Sequence, residues 1–361
     1  MNSVDRRLQV WLLSDGKPGH YTQSEGLLRA LAKDYPMDVR RCDLKLRSKL
    51  WRPLLRLLLN SRLSVRGAFA VHLLRIAYKG VPPGGDRPDL VVSCGGDTVF
   101  ANALLGRTGA TRNVFLGTLR GLWPAHFAAV VTGLHIDDVP NQVELTLSPG
   151  SFDRDAARAR GLEMMRDHRL DGSVELWALL FGGDGAGYRY AAEDIDALCE
   201  LLRTAHERYG IRWLLSTSRR SGEAVESRLR AFIAAHPEAI ARAVIYGDTP
   251  EPVAAAFMGA AQRLFISEES SSMLSEAMLC RIPVVSLAPS LRQPNAHYAR
   301  FLHKHRSAGR LCSVPLRGAV DALESVSRTA CGVADIAVDE EICRGLAPLM
   351  EQLGHVREGR E

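Results

Sequence analysis

The chain contains no pair of cysteines at the spacing of a redox or zinc motif. Its seven cysteines (Cys42, Cys94, Cys199, Cys280, Cys312, Cys331 and Cys343) are scattered and odd in number. This argues against a disulfide framework and a zinc site, and leaves reduced thiols that behave as small hydrophobes. No grouping of His, Cys, Asp and Glu has metal-ligand spacing, so no metal and no bound cofactor are expected. Apolar runs are broken by arginines well before the roughly 20 residues that a membrane span needs. Met1 to Arg7 is polar and leads straight into an apolar run, so no signal peptide is expected and the location is read as cytoplasmic. Aromatic residues make up only 6%, too few to furnish the stacking platforms of a single-strand nucleic-acid binder. Low-complexity segments and short repeats are also missing.

What is present fits two α/β domains. A length of 361 residues exceeds the roughly 250–300 at which single cores stop growing, and 46% hydrophobic with 24% charged residues is an ordinary globular mixture. Short apolar runs closed by Gly or Pro predict buried parallel strands at Leu8–Ser14, Asp89–Ser93, Asn113–Gly117 and Ala128–Thr132. After a charged, helical bridge from Ser151 to Leu170 the alternation restarts, with strands at Val174–Phe181, Ile211–Ser216, Ala243–Tyr246, Leu264–Ser267 and Pro283–Leu287. Helical patterns fall between them at Glu193–Tyr209, Gly222–Ala235, Pro252–Ala261 and Ser271–Leu279. This rhythm predicts two Rossmann-like, doubly wound domains facing a cleft, over 1–165 and 166–325, with helices of 326–361 returning to the first.

From Leu44 to Gly85 there is no Asp or Glu, while nine Lys and Arg residues alternate with Leu, Trp and Phe. A basic helix with an apolar face suits the headgroup region of an anionic membrane, so residues 44–85 are expected to dock peripherally on the inner face of the cell membrane. A surface helix packed on its own sheet, or a nucleic-acid patch, would share the charge. The aliphatic interleaving argues against nucleic acid.

In doubly wound domains ligands bind beyond the carboxyl ends of the strands, and the unusual residues lie there. Gly182-Gly183-Asp184-Gly185-Ala186-Gly187 closes the first strand of the second half, and such glycines let a backbone approach a phosphate. Ser216-Thr217-Ser218-Arg219-Arg220 offers hydroxyls and guanidinium groups to a diphosphate. In Ser267-Glu268-Glu269-Ser270-Ser271-Ser272 with Glu276, the serines cap a helix and contact phosphate. Glu276, one turn in, can accept both hydroxyls of a ribose. In the first half Asp15-Gly16-Lys17-Pro18-Gly19-His20 is a polar loop in which Asp15, or else His20, could serve as general base. Ser93-Cys94-Gly95-Gly96-Asp97-Thr98 is similar to the diphosphate loop of NAD and lipid kinases over a few residues, and reads as a cleft loop.

In this order the motifs resemble the "elongated mitochondria" mitochondrial-fission family, whose bacterial members look like GT-B glycosyltransferases. The resemblance is carried by Asp15-Gly16 with Gly19, Gln23, Gly26 and Leu27, by Pro88 to Ser93, and by Gly182-Gly183 with Tyr188-Arg189. Thr217 to Arg220 and Ser270, Ser272, Met273, Ser275, Glu276 and Ala277 complete it. The Ser275-Glu276-Ala277 helix is also similar to the donor site of the lipid-linked peptidoglycan glycosyltransferase that adds N-acetylglucosamine. The resemblance implies a metal-free GT-B enzyme moving a sugar from a nucleotide-sugar to a glycan or lipid-linked acceptor. Gly182, Gly183, Thr217, Ser218 and Arg219 would hold the diphosphate, Ser270, Ser271 and Ser272 line the pocket, and Glu276 bind ribose. A nucleotide-sugar epimerase and a non-catalytic membrane adaptor with the same fold are the alternative expectations.

Overall fold

The computed structural model describes residues 7–61, 65–83, 87–109, 111–170, 172–333 and 335–358. The chain forms two compact units, Met1–Ser151 with Ala337–Glu361 and Phe152–Ile336.

The first unit runs β1 (Leu8–Ser14), α1 (Pro18–Leu31), β2 (Met37–Asp43), β3 (Lys45–Leu46), α2 (Trp51–Asn60), α3 (Gly67–Ala77) and β4 (Tyr78–Lys79). It continues through β5 (Leu90–Cys94), α4 (Thr98–Gly106), β6 (Arg112–Leu116), β7 (Ala129–Thr132) and β8 (Gln142–Glu144). Six strands form one parallel sheet in the order β2-β1-β5-β6-β7-β8. The strand order reverses between β1 and β5, which puts the loops after these two strands at the switch-point crevice. Central β5 is buried at every position, as its unbroken apolar sequence requires. Edge strand β2 buries only Met37 and Cys42, and its Asp and Arg residues hide it from any hydrophobicity reading.

The segment 44–85 is not one basic helix. It is α2 and α3 flanked by β3 and β4, which pair antiparallel. Residues 62–64, including Arg62, and Gly84 and Gly85 lie outside the described residues. Leu55, Leu59, Leu73, Leu74 and Ala77 point into the core of the unit. Leu50, Leu54, Leu57, Phe69 and Ile76 remain exposed, Leu50 at 80%.

The second unit begins with α5 (Arg154–Asp167) and continues with β9 (Leu176–Leu180), β10 (Tyr188–Arg189), α6 (Ala192–Tyr209), β11 (Arg212–Ser216), α7 (Glu223–Ala235), β12 (Ile240–Val244) and α8 (Ala254–Ala260). Next come β13 (Arg263–Ser267), α9 (Ser271–Leu279), β14 (Val284–Ala288), β15 (Leu291–Arg292), α10 (Ala296–Ser307), β16 (Cys312–Pro315) and α11 (Leu323–Arg328). The parallel sheet order is β12-β11-β9-β13-β14-β16, the arrangement of dinucleotide-binding sheets, with its switch point between β9 and β13. Trp177, Trp213 and Phe265 meet in its core at ring-centroid distances of 5.1–5.7 Å. Strand β12 starts three residues before the expected Ala243. It is an edge strand, so Arg242 can sit within it, 2.6 Å from Glu251.

Two boundaries differ from the sequence expectation. Helix α5, assigned by sequence to the first domain up to residue 165, belongs to the second unit. Gly161 and Gly259 let it lie against α8: a Cβ on Gly161 would come 2.6 Å from Ala260 N, and one on Gly259 would come 2.0 Å from Ala157 O. At the other end α11 stays with the second unit, and only α12 (Val338–Glu358) returns to the first. There Lys33 pairs with Asp339 at 2.6 Å, and the Thr146 amide donates to Glu341 Oε2 at 2.6 Å.

Two buried histidines set an acid limit on this fold. His305 is fully buried, and neither ring nitrogen has a partner among the described residues. His126 accepts from Arg107 at Nδ1 and donates from Nε2 to Asn60 Oδ1, both at 2.9 Å. Burial first, and neighbouring cations second, push both down to about 4. The unfolded chain takes up these protons near the ordinary value of 6.5 while the folded chain refuses them. Stability is therefore full above that pH and falls as pH drops from 6.5 towards about 4, by about 3 kcal/mol for each histidine. Urea denaturation at about pH 7.5 and about pH 5 measures this, and His305→Leu should shrink the difference by its own share.

Candidate functional site

The second unit builds its site from three strand ends. After β9, Gly183 adopts φ +110°, and a Cβ there would lie 2.2 Å from the Arg220 carbonyl oxygen. A Cβ on Gly182 would meet Glu269 Oε1 at 1.9 Å. The two glycines let the β9 loop pass between the loops after β11 and β13. The Gly182 amide donates to Ser267 Oγ at 2.7 Å, and the hydroxyls of Ser218 and Ser221 donate to the Gly182 carbonyl.

Beneath this loop sits Glu269, with a fully buried side chain. Its Oε2 accepts from Tyr190 at 2.7 Å, and its Oε1 accepts from Arg220 at 3.1 Å and from Ser267 at 3.2 Å. Burial pushes the carboxyl up, and Tyr190, Arg220 and Ser267 pull it back. Its neighbour Glu268 is equally enclosed, bonded by Tyr188, Ser286, Arg292 and Ser313. The carboxylate pair that stood out in the sequence is thus internal bracing.

The structure sorts the expected donor residues. Thr217 is buried; its hydroxyl donates to Glu226 at 2.8 Å and accepts the Tyr246 amide at 2.8 Å, so it holds the loop and offers no free donor. The Ser218 hydroxyl is engaged within the loop, with Gly182 and the Arg220 amide. Arg219 is exposed, and no acid pairs with it among the described residues, whereas Arg220 is held by Glu269. Ser270 precedes α9 without a side-chain capping bond, and Ser271 and Ser272 are exposed on the first turn. The first-turn N–H groups of α9 are therefore available to an anion.

Glu276, one turn further on, is half-buried, and its carboxylate has no partner among the described residues. Burial alone pushes it up. A partly desolvated carboxylate left without a donor is costly unless a ligand supplies one.

In the first unit the loop after β1 brings Asp15 and His20 together. His20 Nδ1 lies 3.0 and 2.9 Å from the two Asp15 oxygens, and the Asp15 side chain is only 8% exposed. With Nδ1 turned to the carboxylate, Nε2 is the nitrogen left for other partners. Gly95, at φ +99° after β5, makes room for the ring: a Cβ there would lie 2.0 Å from His20 Nδ1. Asp97 in the same loop accepts both Nε and an Nη of Arg52 at 2.9 Å. Sequence reasoning placed Arg52 in the basic segment without its pairing to Asp97 and did not find Tyr190 or Asp194, because the partners lie tens of residues away. Asp194 is fully buried and accepts from Ser290 and Arg317. Among the described residues no three His, Cys, Asp or Glu side chains gather as a metal site would require.

The family model described as mitochondrial fission ELM1 matches residues 18–334. A sequence search of curated proteins returns no match. Among solved structures, a candidate UDP-N-acetylglucosamine 2-epimerase from Listeria monocytogenes aligns with a TM-score of 0.57 at 11% identity, covering 98% of each chain. The UDP-GlcNAc 2-epimerase from Methanocaldococcus jannaschii aligns at 0.51 and 13% identity over 95% of this chain and 100% of its own. The S. aureus MnaA–UDP co-structure aligns at 0.51 and 11% identity, covering 92% of each. At these identities the likeness concerns the fold, which is the GT-B architecture of two Rossmann-like units.

Gly183→Ala tests how tightly the β9 loop is constrained. The added methyl must displace the Arg220 backbone at a φ that alanine rarely adopts. The expected loss in chemical denaturation is about 1–3 kcal/mol, whereas Gly172→Ala, with nothing within 4 Å, should change stability little.

Proposed function

The chain belongs to the mitochondrial fission ELM1 family, and from that premise we propose that it is a glycosyltransferase. It moves a sugar from a nucleotide-sugar donor to a cell-envelope or lipid-linked glycan at the cytoplasmic face of the membrane. The observation that carries the donor half is Glu276, a half-buried carboxylate without a partner among the described residues, in the second turn of a helix beside a Rossmann switch point. Two ribose hydroxyls satisfy it. Arg219 and the first-turn N–H groups of α9, with Ser270, Ser271 and Ser272, offset the charge of the diphosphate, beside the loop whose close packing Gly182 and Gly183 permit.

For the acceptor half, His20 is the general base and Asp15 the residue that positions it. Asp15 accepts a hydrogen bond from Nδ1–H, which fixes the tautomer and leaves Nε2 to take the proton of the attacking hydroxyl. As the proton arrives, the buried carboxylate stabilises the imidazolium. Asp15 acts through His20 because its own side chain is almost fully covered.

Membrane docking rests on α2 and α3. Leu50, Leu57 and Phe69 are 80%, 69% and 53% exposed, next in sequence or nearly so to Lys49, Arg56 and Arg66, in a segment without any acid. Among the described residues no helix is long and apolar enough to cross a membrane. An epimerase acting on a soluble nucleotide-sugar has no use for such a surface, and this favours the transferase.

UDP is the first nucleotide to test, because a neighbouring structure holds it. With EDTA present, UDP or its sugars should raise the melting temperature. Glu276→Gln should weaken that binding by about 1.5–3 kcal/mol. Because burial raises the Glu276 carboxyl, affinity should fall as pH drops through a value above the ordinary glutamate range, and the Gln variant should lack this fall. Unchanged affinity in Glu276→Gln would remove the ribose assignment. No response to any nucleotide, with vesicle binding intact, would leave a membrane adaptor, and epimer formation without acceptor would leave the epimerase.

His20→Ala should lower turnover by on the order of 10²–10⁴-fold with nucleotide affinity retained. Steady-state rates on a lipid-linked acceptor check this, and undiminished turnover would exclude His20 as base.

A further inference from the structure

Two adjoining cavities in the first unit share the Asp97-paired Arg52 and carry four further cations without an acidic partner among the described residues. The larger, about 470 Å³, lies at the ends of β1 and β2 and is walled by Asp15, Asp43, Lys45, Lys49, Arg52 and Asp97 among others. The smaller, about 260 Å³, is lined by Arg52, Pro53, Arg56, Phe100 and Arg120, so Arg52 stands in both. Each carboxylate of the larger cavity already has a partner. Asp97 is held by Arg52, Asp43 by Arg41 and Asp15 by His20. Lys45, Lys49, Arg56 and Arg120 have no acidic partner among the described residues.

The backbone is shaped around these cations. Arg120 is held at φ +50°, a strained conformation for a residue other than glycine. Its guanidinium occupies the place where a Gly96 Cβ would stand, 2.0 Å away, and Gly121 leaves room for the stem of Arg56. The N-terminus of α4 follows at Thr98, with Asp97 and Phe100 on the cavity walls, and adds its own attraction for an anion. Forked guanidinium groups with lysines around a concave site suit the several oxygens of a phosphate better than a single carboxylate.

We propose that these joined cavities bind a phosphate or diphosphate group, and that the acceptor is a phosphorylated molecule held through it. The word acceptor rests on the transferase reading; the anion site does not. Helix α2 carries Arg52 and Arg56 together with exposed Leu54 and Leu57, and exposed Leu50 precedes it, so a phosphate on an isoprenoid lipid and a soluble phosphate are the two sources to separate.

Calorimetric titration with inorganic pyrophosphate tests the site in the full chain. Arg56→Gln combined with Arg120→Gly removes two cations, and glycine suits the positive φ at position 120, so folding should survive and circular dichroism checks it. The double variant should lose about tenfold or more in affinity for one class of site. Arg219→Ala, in the second unit, should leave that class intact. A double variant that titrates like the parent, or a parent that binds no pyrophosphate, overturns the proposal. If pyrophosphate binding is lost in the double variant while the parent binds no nucleotide, the anion site stands and the transferase reading falls. Flotation with phosphatidylcholine vesicles, with and without a polyprenyl phosphate, separates the sources. Phosphate-dependent flotation lost in the double variant assigns a lipid-borne group, and flotation indifferent to that lipid assigns a soluble one.

Discussion

The second unit depends on one buried carboxylate. Glu269 has no exposed surface, and an isolated charge at that depth would be untenable. It is tolerated because Tyr190 and Arg220 donate to it from the loops after β9 and β11, and Ser267 from the end of β13. These bonds join the ends of β9, β11 and β13, the three strands at whose carboxyl ends a ligand of this fold is bound. Removing Arg220 would leave the buried charge without its cation, a costly change even with the two hydroxyl donors in place. The neighbouring Glu268 repeats the device towards β14 and β16, through Ser286 and Ser313. With both acids engaged, Arg219 and Glu276 are the two charges of the proposed donor site that have no partner among the described residues.

The first unit reaches a comparable result with a different distribution of charge. Here glycines admit side chains to the loops: Gly95 gives way to His20 and Gly96 to Arg120. The acids Asp15, Asp43 and Asp97 orient or neutralise particular basic partners, and the remaining cations form a field around the strand ends. One unit thus offers a lone carboxylate suited to hydroxyls, and the other an oriented imidazole beside basic cavities. This division of chemistry underlies the proposed separation of donor and acceptor roles.

Much of the scaffold was legible in the sequence, because buried parallel strands need unbroken apolar runs. β1, β5, β9, β13 and β14 declare themselves that way. Edge strands do not: β2 is mostly exposed, and β12 carries Arg242, whose charge is accommodated by Glu251. The segment 44–85 was recognisable by its missing acids. Its division into two helices, and the split of its leucines between core and surface, depended on the sheet they pack against. The pairing of Asp15 with His20 spans only five residues and still required the turn geometry of α1 to appear.

The sequence by itself determined the two-domain α/β architecture, the family, and the strand-end loops where chemistry could gather. These follow from local periodicity and from residue order, which need no knowledge of distant contacts. The tertiary structure alone decided which polar groups remain available. Thr217, Glu268 and Glu269 have the same composition as a binding motif, yet each is satisfied by partners from other loops. Glu276 and Arg219 are not, and that difference exists only once hydrogen-bond partners far apart in the chain have been brought together or kept away.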